Sequence, residues 1–338
     1  MSDTLLGPWI RRFLVEHLLI ERNLSRNTQA SYRDTLCLLL PFVCQLAKKR
    51  AEQLRVEDLT ADRVSAFLRN LQETRKSGPA TLNQRLAAIH SLSHFISLHN
   101  PELVPWCGEM RAVQGKKAPR HALSYFEKEE MDALLAAPHP SSDQGRRDHA
   151  VLLFLYNTGA RANEAAHVRI SDLDLGAVPG RDSSSVLIHG KGTKQRRCPL
   201  WSTTVQALQP LVTNRLPSDH VFRNRRGQPL TRFGIHALVE RYAQAVATTR
   251  PSMSKKQLSP HTIRHTTATH LLRAGVDINT IRAWLGHVSL ATTNIYAEVD
   301  LEMKERALAT CEVGENRSNK RKPRYREDKE LMEFLKKL

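Results

Sequence analysis

The feature that most constrains this 338-residue chain is the helical spacing of apolar residues along its first hundred positions. Four stretches repeat apolar side chains every three to four residues, starting near residues 5, 27, 61 and 80. Ser25 or Asn27 can cap the second helix, Thr60 can cap the third, and Gly78-Pro79 separates the third from the fourth. This pattern predicts a small helical bundle.

The charge of the chain points to a polyanionic partner. Lys and Arg together number 51 and Asp and Glu 34, which gives a formal net charge of +17 at pH 7. The surplus is spread over the chain, whereas a membrane-binding protein more often concentrates it on one helix or tail. The largest local surplus of positive charge lies in residues 191–256, which hold 13 basic residues and only two acidic ones, Asp219 and Glu240. We expect a double-stranded DNA partner and no membrane association; a basic surface kept for solubility is the alternative.

Composition argues against several other classes of protein. Hydrophobic residues make up 41% of the chain, enough for real cores and too many for a wholly disordered chain. The longest apolar run, 36–44, contains Pro41 and is too short for a membrane span, and the first residues lack a secretory pattern. The five Cys residues have no C-x-x-C spacing, which disfavours a disulfide framework and a zinc ribbon. We expect a protein of the reducing cytoplasm.

Pro and Gly residues divide the chain. We predict a helical domain over 1–103, a basic linker over 104–122, a second domain over 123–311 and a basic tail over 312–338 with a short amphipathic helix. The second domain is predicted to be mixed, with helices over 126–137, 148–158, 232–248, 262–274 and 278–285 and two short strands at 186–188 and 197–200. The predicted fold class is therefore mainly α with a small β-sheet (α+β).

Basic residues in the linker and in the turn and second strand of the predicted hairpin are candidates for contact with DNA phosphates. They are Arg111, Lys116, Lys117, Arg120, Lys194, Arg196 and Arg197. For the linker, a DNA clamp and a plain exposed hinge are equally good interpretations.

Two short motifs suit phosphate chemistry. In Thr158-Gly159-Ala160-Arg161-Ala162-Asn163-Glu164, Arg161 and Glu164 lie one helical turn apart at the start of a helix, which suits a rigid phosphate clamp. Lys191 lies between two glycines in the predicted turn, from where it can reach a phosphate or protonate a leaving oxygen. Taken alone, each motif also fits an ordinary ion pair or a solvated lysine.

A second group of polar residues lies near the end of the predicted second domain. His261 and Arg264 are spaced to share one helix face, which suits phosphate contact and proton transfer, and His265 is one turn from His261. Zinc could use the two histidines, but the glutamate of an H-E-x-x-H site and a third ligand are missing, so we expect no metal. Leu285-Gly286-His287 ends a helix, and Tyr296 follows among polar and small residues. A phenol there can be a nucleophile near cations, or simply a packed tyrosine.

The complete set strongly resembles the tyrosine recombinase (phage integrase) family. The matching pieces are T-G-A-R-A-N-E at 158–164, G-K-G-T-K at 190–194, H-T-I-R-H-T at 261–266, L-G-H at 285–287 and T-T-N-I-Y at 292–296. The resemblance covers residues 123–302, with Ala160 where the family usually has Leu, and extends more weakly to the first domain. It implies a helical core-binding (SAM-like) domain followed by a tyrosine-recombinase catalytic domain.

The resemblance also implies a mechanism. Tyr296 would attack a scissile phosphate, form a 3′-phosphotyrosyl link and release a 5′-hydroxyl, and another strand's 5′-hydroxyl would then attack that link. Arg161 and Arg264 would donate to the nonbridging oxygens, and His287 would add a hydrogen bond. Two arginines would thus replace a metal ion, and no ATP or other cofactor is implied.

The remaining members of the set have proton-transfer and supporting roles in this resemblance. Lys191 would protonate the leaving 5′-oxygen, and His261 would assist proton transfer with Tyr296. Glu164 would orient Arg161 or its helix, and His265 would support the same helix face.

The expected function is site-specific integration, excision or transposition of a mobile element by a homo-tetramer on two paired DNA sites, with or without accessory recombination proteins. One segment near the C-terminus could contact a neighbouring protomer. A type IB topoisomerase-like enzyme, which reseals the same strand, and a non-catalytic DNA-binding relative remain alternatives. A metal-dependent nuclease is a third, disfavoured by the lack of an acidic cluster.

Overall fold

A computed structural model of the chain describes residues 4–117, 124–176, 184–190 and 194–286. The backbone divides into two compact units, Met1–His121 and Ala122–Leu338. The first unit is helical in its described part, and the second combines helices with a three-stranded sheet. The predicted class, mainly α with a small β-sheet, is confirmed. Among the described residues, no helix combines the length and the apolar character needed to cross a membrane.

The first unit contains the four predicted helical stretches and one more helix. They are α1 Leu6–Arg12, which continues as a π-helical segment Phe13–Glu21, then α2 Arg26–Ala47, α3 Ala61–Arg75, α4 Pro79–His99 and α5 Val104–Ala112. The Ser25 hydroxyl accepts a hydrogen bond from the Thr28 N–H, so Ser25 is the cap of α2. The Thr60 hydroxyl accepts from the Arg63 N–H and caps α3 as predicted. Phe13, Phe67 and Phe95 are fully buried in the core between these helices.

Helix α5 corrects the predicted linker. Residues 104–112 are helical, and Cys107 and Met110 are buried against the rest of the unit. Pro105 lies in the first turn of α5, where its missing N–H is not needed, so it starts a helix and does not break one. His90 Nε2 lies 2.9 Å from the Met110 carbonyl oxygen, and the Trp106 indole donates to the Leu59 carbonyl. The segment that connects the two units therefore begins after Ala112.

The second unit builds its sheet from a hairpin and one short edge strand. Its elements are α6 Lys128–Ala136, α7 Asp143–Thr158, α8 Ala162–His167, β1 Leu173–Asp174, β2 Ser185–His189, β3 Gln195–Pro199, α9 Ser202–Val212, α10 Arg232–Thr249, α11 Pro251–Ser254, α12 Pro260–Arg273 and α13 Ile278–Leu285. The strands are antiparallel in the order β1-β2-β3. Val186 pairs with Cys198 and His189 with Gln195, which confirms the predicted hairpin around residues 190–194.

Helix α7 lies at the centre of this unit. Residues 150–158 are all buried, and α7 contacts α6, α8, α9, α10 and α12. It begins five residues before the predicted start because the Ser142 hydroxyl caps a polar first turn that carries no apolar signal. Gly159 ends the helix with φ +60°, and a Cβ at this position would lie 2.4 Å from Leu285 Cδ2. The end of α7 is thus packed directly against the end of α13.

Candidate active site

Of the six residues that the resemblance makes catalytic, the structure describes Arg161, His261 and Arg264. It also describes the two supporting residues, Glu164 and His265. Four predicted site residues lie outside the described residues; they are Arg120, Lys191, His287 and Tyr296.

Arg264 is the buried cation of the site. It lies in α12 and is 3% exposed. Its Nη1 donates to the Gly159 carbonyl oxygen at 2.5 Å, and its Nη2 donates to the Leu285 carbonyl oxygen at 2.6 Å. These carbonyls lie at the C-terminal ends of α7 and α13, where oxygens lack helical partners and the helix dipoles favour a positive charge. Arg264 therefore connects the two helix ends, and its guanidinium carries a permanent positive charge.

Arg161 and Glu164 form the contact that their spacing predicts. Arg161 Nη1 lies 2.7 Å from Glu164 Oε1, and the Arg161 backbone N–H donates to Glu164 Oε2 at 3.0 Å. Glu164 closes the first turn of α8 in this way. The Arg161 side chain remains 40% exposed, whereas that of Glu164 is 6% exposed. One carboxylate thus aims a guanidinium that still reaches the surface.

The second oxygen of Glu164 has another partner, Arg196 of β3. Arg196 Nη2 donates to Glu164 Oε2 at 2.7 Å, and the Arg196 side chain is only 9% exposed. Burial acts to raise the pKa of Glu164, but the hydrogen bond and charge of Arg196 and the hydrogen bonds from Arg161 outweigh it and hold the pKa below its ordinary value of 4.5. Glu164 is therefore an anion at neutral pH that is shared by two arginines.

Arg196, one of the predicted DNA contacts, is much less exposed than its neighbours at the hairpin, although it lines a cavity together with Arg161. Alternation along β3 turns Arg196 toward the interior with Cys198, whereas Arg197 lies on the opposite, exposed face. The sequence shows two adjacent arginines as equivalent, but the strand separates them. Lys194 and Arg197 remain exposed at the hairpin, although Arg197 also donates to the Ser185 hydroxyl.

The linker candidates in the first unit are at its surface. Arg111, Lys116 and Lys117 are all exposed. Lys116 is fixed through its backbone, because its N–H donates to the Asn83 side chain at 2.8 Å and its carbonyl accepts from the same amide at 2.8 Å. The Lys116 ammonium also donates to the Gln72 side chain, whereas Arg111 and Lys117 present their charges at the surface of the first unit.

His261 and His265 lie one turn apart in α12, with ring centroids 6.2 Å apart in a stacked arrangement. Burial of the His265 ring, with the nearby His261 and Arg264, lowers its pKa to about 4. His261 is exposed, yet partial burial of its ring and then the charges of Arg264 and Arg161 lower its pKa as well. Both rings are neutral at pH 7, so His261 has a lone pair that can accept a proton. Among the described residues, no cluster of three or more His, Cys, Asp or Glu side chains is placed to hold a metal ion.

Two cavities share the Arg161 side chain. One, of about 780 Å³, is also lined by His261 and His265. The other, of about 840 Å³, is lined by Gly190, Gly286 and the basic side chains of the hairpin, Lys194, Arg196 and Arg197. The first cavity includes three residues that the sequence analysis did not single out: Arg232, Phe233 and His236 at the start of α10. The Arg232 guanidinium lies over the Phe233 ring at 4.6 Å, and Phe233 is 69% exposed. The only sequence signal for this part of the cavity is the basic stretch 191–256, which does not single out these residues.

Two family models match the chain. Residues 124–303 match the model described as the phage integrase family, and residues 10–98 match the model described as phage integrase, N-terminal SAM-like domain. The interval between the two matches contains the division between the two compact units.

Relatives match over nearly their whole length. The y4rC protein of Sinorhizobium fredii, whose name assigns it provisionally to the integrases and recombinases, is 34% identical over 332 residues, 98% of this chain and 97% of the relative. Tyrosine recombinase XerD of Chlorobaculum tepidum is 31% identical over 305 residues, 87% of this chain and 93% of the relative. Both values describe similarity over the two units together.

A solved structure confirms the fold. The XerH site-specific recombinase bound to palindromic difH substrate matches with a TM-score of 0.65 at 22% identity, over 86% of this chain and 82% of that chain. The predicted combination of a SAM-like helical domain and a recombinase-type catalytic domain is therefore confirmed.

Proposed function

The chain belongs to the phage integrase family, the family of the tyrosine recombinases, and from this premise we propose that it cuts and rejoins DNA at specific sites through Tyr296. The observation that carries the proposal is the meeting of distant segments at Arg161 and Arg264. Residues 159–164, 196, 261–265 and 285–286 converge there through the Glu164 carboxylate and two helix-end carbonyls. Such a cluster of fixed cations, next to an open cavity, suits a phosphodiester in transition.

The two arginines have different tasks in this reaction. Negative charge grows on the nonbridging oxygens of the phosphate as the nucleophile adds, and preorganised donors stabilise it without reorganisation. Arg161 is the more exposed of the two and offers its guanidinium to these oxygens while Glu164 fixes its direction. Arg264 contributes a buried charge that the Gly159 and Leu285 carbonyl oxygens hold in place.

The bond changes balance without a cofactor. The Tyr296 oxygen attacks phosphorus, the bond to the 5′-oxygen breaks, and a 3′-phosphotyrosyl link and a 5′-hydroxyl result. Neutral His261 takes the proton from the phenol, and Lys191 gives a proton to the leaving oxygen. In the second step a 5′-hydroxyl of another strand attacks, and the tyrosine leaves. One phosphodiester replaces another, so no ATP is consumed.

The assembly that we propose is a homo-tetramer on two paired double-stranded sites, with accessory recombination proteins as further partners. In this proposal the first domain extends to Ala112, and a connecting segment, a second domain over 123–311 and a tail over 312–338 follow it. Because the substrate is chromosomal or mobile-element DNA, the place of action is the nucleoid-containing cytoplasm of a prokaryotic cell. Integration, excision and transposition of a mobile element all use this chemistry.

Strand exchange is the experiment that separates this function from its alternatives. The protein is incubated in a metal chelator with two differently labelled duplexes that carry the DNA flanking its own gene. We expect recombinant strands that join the two labels. Relaxation of supercoiled plasmid without exchange would favour the topoisomerase alternative, and binding without any cleavage would favour a non-catalytic relative.

A further inference from the structure

Arg196 is more deeply buried than a cation that only contacts DNA from the surface would be. Its side chain is 9% exposed and its Nη2 bonds Glu164, which in turn bonds Arg161. Its Nε is buried and has no hydrogen-bond partner among the described residues. A buried guanidinium with an unused donor is unfavourable, so something other than burial must account for it.

The same guanidinium lies against two glycines. A Cβ built on Gly286 would lie 3.2 Å from both Cδ and Nη1 of Arg196. A Cβ on Gly190 would lie 3.8 Å from Glu164 Oε1 and 4.0 Å from Arg196 Nη1. Gly286 also has φ +65°, so glycine suits this position for two reasons: its backbone conformation is left-handed, and Arg196 leaves little space for a Cβ.

The two glycines that lie next to Arg196 are each followed in the chain by a residue that the resemblance makes catalytic. Gly190 directly precedes Lys191, and Gly286 directly precedes His287. Arg161 is also connected to Arg196, because both arginines bond the Glu164 carboxylate. The Arg196–Glu164 ion pair therefore lies next to Arg161, Gly190 and Gly286, and the last two directly precede Lys191 and His287 in the chain.

We propose that Arg196 is a positioning residue, which together with Glu164 sets the positions of Arg161 and of the backbone that precedes Lys191 and His287. The inference rests on the proposed function, because it assigns Arg196 to that reaction. Arg196 acts through other residues and does not itself need to touch DNA. A planar guanidinium suits this role since its rigid fork of donors bonds a carboxylate in a defined geometry.

The test compares single-turnover rates of covalent adduct formation at saturating protein. The substrates are nicked duplexes tiled over the DNA that flanks the gene, and the variants are Arg196→Met and Arg196→Lys. We expect Arg196→Met to bind DNA within about twofold of the wild type but to form adduct roughly 10- to 100-fold more slowly, the loss that a misplacement of about 1 Å produces. Arg196→Lys keeps one bond to Glu164 and should recover part of the rate.

A matched control separates positioning from stability. Arg147→Met also removes an arginine, 15% exposed, from a buried carboxylate, Asp148, in the same unit. We expect it to lower the melting temperature like Arg196→Met, while adduct forms at the wild-type rate below the melting transition. If Arg196→Met also kept the wild-type rate, Arg196 would be structural only and the inference overturned.

A second substrate isolates the Lys191 segment. Replacing the 5′-bridging oxygen by sulfur gives a leaving group that needs no protonation, so a misplaced Lys191 matters less. We expect Arg196→Met to lose less on this substrate than on the normal one. Equal losses on both would overturn the claim for Lys191. If the wild-type protein formed no adduct with any duplex, the proposed function itself would fail, and the inference with it.

Discussion

Arg264 and Arg161 are one residue type in two environments. Arg264 is 3% exposed and bonds two backbone carbonyls, whereas the Arg161 side chain is 40% exposed and bonds one carboxylate. The first arrangement fixes a charge in place, and the second leaves donors free to meet a ligand from solvent. The pair illustrates that burial and partner, more than residue type, decide what a cation in a site can do.

His265 gives a prediction on pH and stability. Burial lowers its pKa to about 4 in the folded chain, from an ordinary 6.5. Between these values the unfolded chain binds the proton and the folded chain does not, so stability is lost as the pH falls from about 6.5 toward 4. We expect His265→Asn to lose less melting temperature than the wild type over this range. Thermal unfolding of both proteins from pH 7.5 to 4.5 measures this difference. If the melting temperatures of the two proteins fell in parallel with pH, the prediction would be wrong.

At the residue scale, local contacts were predictable and distant ones were not. Arg161 and Glu164 are three positions apart on one helix start, so their ion pair follows from helix geometry. Glu164 and Arg196 are 32 positions apart, and their pairing depends on how β3 packs against α8. No sequence pattern encodes that packing, which is why Arg196 was grouped with the exposed cations.

At the element scale, cap chemistry decided which boundaries the sequence could predict. Helix α13 has the predicted bounds because Asp277 caps its start and Gly286 ends it in the left-handed conformation. The sequence does not predict helices α5 and α9: Pro105 lies in the segment predicted to be a linker, and Pro210 lies inside α9. Proline in a first turn is compatible with a helix, and packing of buried residues tolerates it later on.

The junction between α7 and α13 gives a prediction on stability. Gly159→Ala forces a Cβ into the left-handed region and to 2.4 Å from Leu285 Cδ2. We expect a loss of about 1 to 3 kcal/mol in the free energy of unfolding, because conformational strain and a steric clash add up. Urea unfolding measures it. Gly227→Ala is the matched control, since Gly227 also has positive φ but has open space around its Cβ position. Equal losses in both variants would show that the contact with Leu285 adds nothing to the change in the free energy of unfolding.

At the scale of the whole molecule, a net charge of +17 makes DNA binding depend on salt. Each phosphate contact adds about 0.9 to the slope of log affinity against log salt. We expect the double variant Arg111→Gln/Lys117→Gln to reduce this slope by about 2, measured by fluorescence anisotropy on a duplex of the flanking DNA. The charge-matched variant Arg22→Gln/Lys48→Gln, in exposed residues outside the candidate set, should keep the wild-type slope. A full slope in the first variant would remove Arg111 and Lys117 from the interface.

The tail gives a prediction on assembly. Residues 312–338 combine a basic spacer with apolar residues at helical spacing, a pattern typical of a segment that docks on another surface. We expect its deletion to weaken the synaptic complex of two sites while affinity for a single site changes little. Native gels with one-site and two-site DNA distinguish the two effects. Normal synapsis by the truncated protein would exclude the tail from assembly.

The most direct test of the account is covalent trapping on nicked duplexes from the flanking DNA, in a metal chelator. The site described around Arg161, Arg264 and neutral His261 is suited to metal-free attack by a phenol. We predict an adduct of protein and DNA that survives denaturant and whose DNA-bearing peptide contains Tyr296, and we predict its complete loss in Tyr296→Phe. An adduct that persists in Tyr296→Phe, or cleavage that appears only when a metal is restored, would contradict the account.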